Sequence, residues 1–139
     1  MSYEEKGKWI YLLTMLGTYV GYVAVILSRA DGASVADVAY VAPMLWSIGI
    51  AIGLSIVGRI ALEIAKPSDN YKIDARDKEI NRLGEYIGGV MLGAAMVLPL
   101  GLAMVEAKHF WIANAIYLAL VVSQTVATLV KLVAYRRGL

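Results

Sequence analysis

Cysteine is absent from the 139 residues, which excludes disulfides, thiolate metal sites and thiol redox chemistry. Histidine occurs once, as His109, and neither an H-E-x-x-H pattern nor a G-x-x-x-x-G-K-[ST] loop is present. Those gaps remove the common routes to zinc-assisted hydrolysis and to phosphate cradling, and no cofactor or metal is expected. Charge is also scarce: Asp, Glu, Lys and Arg make up 17% of the chain against 60% apolar residues. So small a core cannot bury that surplus, so a water-soluble globule is disfavoured. The 13 basic and 11 acidic residues nearly cancel, leaving no overall field that would recruit nucleic acid directly.

What is present is long apolar sequence. A helix needs about 20 mostly apolar residues to cross a bilayer. Four windows qualify: Trp9 to Leu27, Val41 to Leu62, Ile87 to Val105, and Phe110 to Val130. The first follows Lys6 and Lys8 as a signal peptide would, but it exceeds the roughly 7 to 15 residues of a cleavable apolar core, so a retained span is expected. The predicted fold is all-α: one membrane domain over residues 1–139, with four transmembrane helices in an up-down bundle.

Cations set the orientation. Lys6 and Lys8 precede the first span, Arg59, Lys66, Lys72, Arg76, Lys78 and Arg82 lie between the second and third, and Lys131, Arg136 and Arg137 follow the fourth. Only Arg29 and Lys108 fall on the other side. Both termini and the charged loop 66–85 are therefore expected in the cytoplasm, with the chain in the inner (plasma) membrane. Trp9, Tyr40, Tyr86, Trp111 and Tyr135 stand near span ends and read as interfacial anchors.

Inside lipid, helices associate through close backbone approach and polar side-chain bonds. Small residues four apart recur at Gly17 and Gly21, Gly49 and Gly53, Gly84 and Gly88, Gly89 and Gly93, and along Ala115, Ala119, Ser123 and Ala127. The last span carries a second stripe, Asn114, Tyr117, Gln124, Thr128 and Lys131, on a separate side of the helix. One bundle can bury the small-residue face and this stripe as well; if it buries only the first, the stripe requires a second subunit in a homo-oligomer or lines a polar substrate cavity.

The connections carry further signals. Asp31-Gly32 marks a turn, and Ser34 with Asp37 resembles a capping box that would start the second helix near Val35, with Pro43 kinking it. Pro99 and Gly101 predict a kink in the third span, where transporters place binding sites. The short link from Glu106 to His109 predicts a tight hairpin with His109 exposed in it. Pro67, Ser68, Asp69 and Asn70 form a turn, after which Asp74 caps a helix running unbroken into span three and reaching two or three turns into the cytoplasm. Glu79 with Arg82, and Arg82 with Glu85, stand at pairing distance on it.

Asp74-Ala-Arg-Asp77, just before the third span, resembles the Asp-Glu-Arg-Asp signature of uncharacterised small four-helix membrane proteins of prokaryotes, with Ala75 where Glu is usual. His109-Phe-Trp-Ile-Ala-Asn114 and Lys131-Leu-Val-Ala-Tyr-Arg-Arg-Gly138 are similar to small actinobacterial members of such groups. The resemblance implies no activity. It implies a docking surface, because some similar proteins resemble partners of small helix-turn-helix regulators.

Carboxylates are confined to loops and span ends, and no nucleophile, acid and base form a set, so no enzyme is expected. Small multidrug exporters share the size and four-helix plan, but they rely on an acidic residue within the first span and Trp9 to Leu27 has none. Two functions remain. One is an oligomeric membrane scaffold or regulator whose Asp74, Arg76, Asp77, Glu79 and Arg82 face a cytoplasmic regulator protein. The other is a small transporter or channel, with Asn114, Tyr117, Gln124 and Thr128 along a path and Arg59 and Glu63 at its inner mouth.

Overall fold

The computed structural model describes residues 3–67 and 73–138. Among them every regular element is helical: α1 (Tyr3–Ala30), a 3₁₀ turn (Val35–Asp37), α2 (Val41–Ala65), α3 (Ala75–Ala95), α4 (Val97–Met104) and α5 (His109–Arg137). Four helices are long and apolar enough to cross a membrane, with α3 and α4 counting together as the third, Ala75–Met104. Most of the turn predicted over Pro67 to Asn70 falls outside the described residues.

One of the two predicted proline effects appears. At Pro99 no N–H exists for the carbonyl of Ala95, and the helix breaks there: α3 ends at Ala95 and α4 starts at Val97, with Met96 between. Pro43 does not act as predicted. Ser34 makes no capping bond, Val38 is extended, and α2 starts only at Val41. Pro43 therefore sits in the first turn, where amides have no acceptor within the helix. The carbonyl of Ala39, which a residue other than proline at 43 could have bonded, accepts from the Arg29 guanidinium at 3.3 Å.

The start of α3 matches its sequence signal. The Asp77 N–H donates to Asp74 Oδ1 at 2.8 Å and the Asp74 N–H donates to Asp77 Oδ2 at 3.2 Å, a reciprocal capping box. From there the helix runs unbroken past Ile87, so residues 75–86 add roughly 18 Å beyond the apolar stretch. At the other end, Ala107 N–H reaches back to the Leu102 carbonyl at 2.9 Å and Glu106 adopts a left-handed φ of 56°, closing the short α4–α5 link.

Helix α5 is central. It packs on α1, α3 and α4, while α2 leans mainly on α1. Nine residues of α5 are buried, including Ala119, Ser123 and Ala127 of its small-residue row; Ser47 alone is buried on α2. The core joins Tyr22, Ile26, Tyr40, Phe110, Tyr117 and Val121 near one end, and Leu12, Met15 and Leu132 toward the other.

Of the glycine pairs, one makes the contact its spacing suggests. A Cβ at Gly88 would stand 2.8 Å from Ala127 Cβ, and one at Gly84 would meet the Lys131 side chain at 2.5 Å and the Ala127 carbonyl at 3.0 Å. The backbones of α3 and α5 approach there as only glycine permits. Gly17, Gly21, Gly49, Gly53, Gly89 and Gly93 have nothing within 4 Å of that position. Leucine at Gly88 should therefore lower stability by about 1–3 kcal/mol, because overpacking forces the helices apart, whereas leucine at Gly89 should leave it unchanged. Thermal unfolding of the two variants in one detergent checks this.

Candidate functional site

Except for Arg29, the charged residues of all four long helices gather at one end of the molecule. Glu4, Glu5, Lys6 and Lys8 come from the first turns of α1, Arg59 and Glu63 from the last turns of α2, the capped start of α3 meets Tyr135 of α5, and Lys131 and Arg136 come from the last turns of α5. Lys6 pairs with Glu63 at 3.3 Å and donates to the Lys66 carbonyl, closing the C-terminal end of α2. Glu4 accepts from Arg59 at 3.2 Å and from Lys8 at 3.4 Å, Arg136 meets Glu5 at 3.3 Å, and Lys131 pairs with Glu85. These contacts tie α1 to α2, α1 to α5 and α3 to α5. Arg59 also lies over the Tyr3 ring, 4.0 Å from its centroid.

Lys6 and Glu63 keep only 7% and 15% of their side-chain surface exposed, so this is a largely desolvated pair. Such pairs add little over apolar packing, but losing one partner is costly because the other charge is left buried. They hold α2 in place more by penalising separation than by attraction.

Five residues were predicted to face a partner, and they divide. Asp77 faces inward: it is 6% exposed, one oxygen completes the capping box, and the other accepts from the Tyr135 hydroxyl. Arg76 donates to the Tyr135 carbonyl at 2.9 Å with its guanidinium 5.5 Å from that ring's centroid. Asp74, Arg76, Glu79 and Arg82 are exposed. Neither predicted pair within α3 forms; Glu85 turns to Lys131 instead. Glu79, Ile80, Arg82, Leu83 and Tyr86 of α3, with Ala134 of α5, line a groove of about 580 Å³.

Sequence reasoning missed Tyr135, which it took for an interfacial anchor. The inward turn of Asp77 was readable, because Asp77, Ile80, Gly84 and Gly88 share one helical face and all are buried. Its partner, 58 positions away, was not. Tyr40 is likewise buried, and its hydroxyl meets His109 Nδ1 at 3.0 Å, while His109 itself is exposed at the start of α5.

The residues predicted to line a path are not brought onto one. Asn114 accepts from the Tyr22 hydroxyl at 2.5 Å and donates to the Phe110 carbonyl at 2.8 Å. Ser47 donates to the Thr18 carbonyl at 3.1 Å, which leaves its oxygen to accept from Tyr117 at 2.7 Å. Thr128 is buried, and Arg59 and Glu63 are ion-paired to α1. Of the predicted path residues, only Tyr117 and Gln124 border the cleft of about 400 Å³ between α1, α2 and α5, whose walls also include Met15, Ile52 and Leu120. Among the described residues no group of His, Asp or Glu could hold a metal ion.

Replacing Tyr135 by Phe removes a hydrogen bond to a buried carboxylate, and should loosen the first turns of α3 by about 1.5–3 kcal/mol. Faster amide exchange over residues 75–84, with exchange in α1 unchanged, is the expected result. No family model, curated protein or solved structure matches this chain.

Proposed function

We propose that the chain is a non-enzymatic membrane scaffold: four spans in an up-down arrangement in the plasma membrane, both termini in the cytoplasm, and a rigid charged face that docks a cytoplasmic regulatory protein. One observation carries the reading. The first turns of α3 are clamped by the capping box and by Tyr135, and the Lys131–Glu85 pair anchors the helix further along, so exposed Asp74, Arg76 and Lys78 stand in a fixed arrangement, with Glu79 and Arg82 at its apolar-side edge. A held surface loses little entropy when a partner binds.

The orientation draws its support from the cations, since Lys6, Lys8, Arg59, Arg76, Lys78, Arg82, Lys131, Arg136 and Arg137 lie at the same end. The likeness of residues 74–77 to the prokaryotic signature points the same way. Assembly into a homo-oligomer is favoured by the unfilled glycine faces at Gly17 and Gly21 and at Gly49 and Gly53. A transport role along α5 has less in its favour, because Asn114 and Tyr117 spend their hydrogen bonds within the chain.

The variant carrying Arg76→Glu and Lys78→Glu tests the docking face without touching buried Asp77. Affinity capture from native membranes should recover a soluble protein with the parent chain and lose it with this variant; equal recovery by both would refute the proposal.

A further inference from the structure

Most charged side chains at this end of the molecule are already engaged with a neighbour. Glu79 and Arg82 are not: among the described residues neither takes part in a hydrogen bond or an ion pair, although one helical turn separates them and both border the same groove. That groove changes character along its length. Glu79 lies toward the capped start of α3, Arg82 is roughly 4.5 Å further along the axis, and Leu83 and Tyr86 follow as the helix enters its apolar stretch. Leu83 is 43% and Tyr86 71% exposed, and buried Ile80 lies at the floor.

We propose that this groove binds the headgroup of a zwitterionic aminophospholipid, of the phosphatidylethanolamine class. The order of chemistry decides the occupant. Counting outward from the bilayer, such a lipid presents acyl chain, phosphate and then ammonium. Counting outward along α3, the groove presents Leu83 and Tyr86, then the Arg82 guanidinium, then the Glu79 carboxylate. Guanidinium matches phosphate through paired N–H donors, and a primary ammonium offers three donors to a carboxylate. Tyr86 suits the boundary, its ring against chain and glycerol and its hydroxyl among the headgroups. An anionic lipid without an amine would satisfy Arg82 but set its charge against Glu79. A soluble peptide gains less, because Leu83 and Tyr86 form the end of the groove that adjoins the apolar stretch beginning at Ile87.

The inference rests on the membrane reading above, with this end among the headgroups, and does not need the docked regulator. Full-length protein purified in detergent is mixed with dioleoyl-phosphatidylethanolamine, dioleoyl-phosphatidylglycerol or dioleoyl-phosphatidylcholine at equal mole fraction, and bound lipid is read by native mass spectrometry. Ethanolamine lipid should be retained about tenfold more than glycerol lipid. Glu79→Gln should abolish that preference, and Arg82→Gln should lower retention of all three lipids. Both side chains are exposed, so each variant should unfold in lipid-free detergent as the parent does, which separates loss of the site from loss of the fold.

Equal or greater retention of the glycerol lipid by the parent chain would overturn the proposal, as would an ethanolamine preference surviving Glu79→Gln. Loss of a captured soluble protein in either variant, with lipid retention unchanged, would also overturn it and assign the groove to protein. A chain that stays dispersed in buffer without any amphiphile would instead overturn the membrane reading itself.

Discussion

The hydrogen-bonding demand of α5 organises the rest of the molecule. Its side chains include Asn114, Tyr117, Thr128 and Lys131, and a hydrocarbon surrounding would satisfy none of them. Three of the other helices answer part of that demand, α2 among them although it leans mainly on α1. Helix α1 brings Tyr22 to Asn114, α2 brings Ser47 to Tyr117, and α3 brings Glu85 to Lys131. Apolar burial cannot select these neighbours, since lipid tails are as apolar as leucine. Polar matching can, and it works together with the backbone approach that Gly84 and Gly88 allow.

The same logic explains what lies at the two ends of the helices. Near the α4–α5 turn the contacts are aromatic and sparing of charge: Tyr40 stacks edge-on against Phe110 at 5.4 Å, and Tyr19 meets Tyr117 in the same way at 5.2 Å. At the opposite end the ties are ionic: Lys6–Glu63 and Arg59–Glu4 join α1 to α2, Arg136–Glu5 joins α5 to α1, and Lys131–Glu85 joins α5 to α3. The N-terminus of α3, which would otherwise fray, is held by its cap and by Tyr135, and Lys131 ties the helix to α5 at Glu85, further along.

The spans were legible in the sequence because apolar length needs no knowledge of neighbours. So were the Asp74 cap and the Pro99 break, each a local consequence of one residue's hydrogen-bonding capacity. Pro43 was misread for a related reason: its effect depends on where the helix starts, and a start at Val41 places it where its missing N–H costs nothing. Pairings across the chain were not legible. Arg82 and Glu85 have the right spacing to bond, yet Glu85 meets Lys131, because the choice depends on which helix lies alongside. The polar stripe on α5 was visible as a stripe, with the bundle interior, a second subunit or a path as its possible surroundings; that Asn114 and Tyr117 meet Tyr22 and Ser47 inside the chain depends on which helices lie alongside.

A cysteine-free chain allows nitroxide labels to be placed one at a time along α5 in lipid vesicles, and oxygen accessibility then reports which side of the helix meets lipid. The structure requires low accessibility at Ser123, Ala127 and Ala134, and high accessibility at Val122, Leu129 and Val133, with a helical period between them. Uniform accessibility, or maxima on the Ser123 and Ala127 side, would contradict the central place of α5 and the packing built around it.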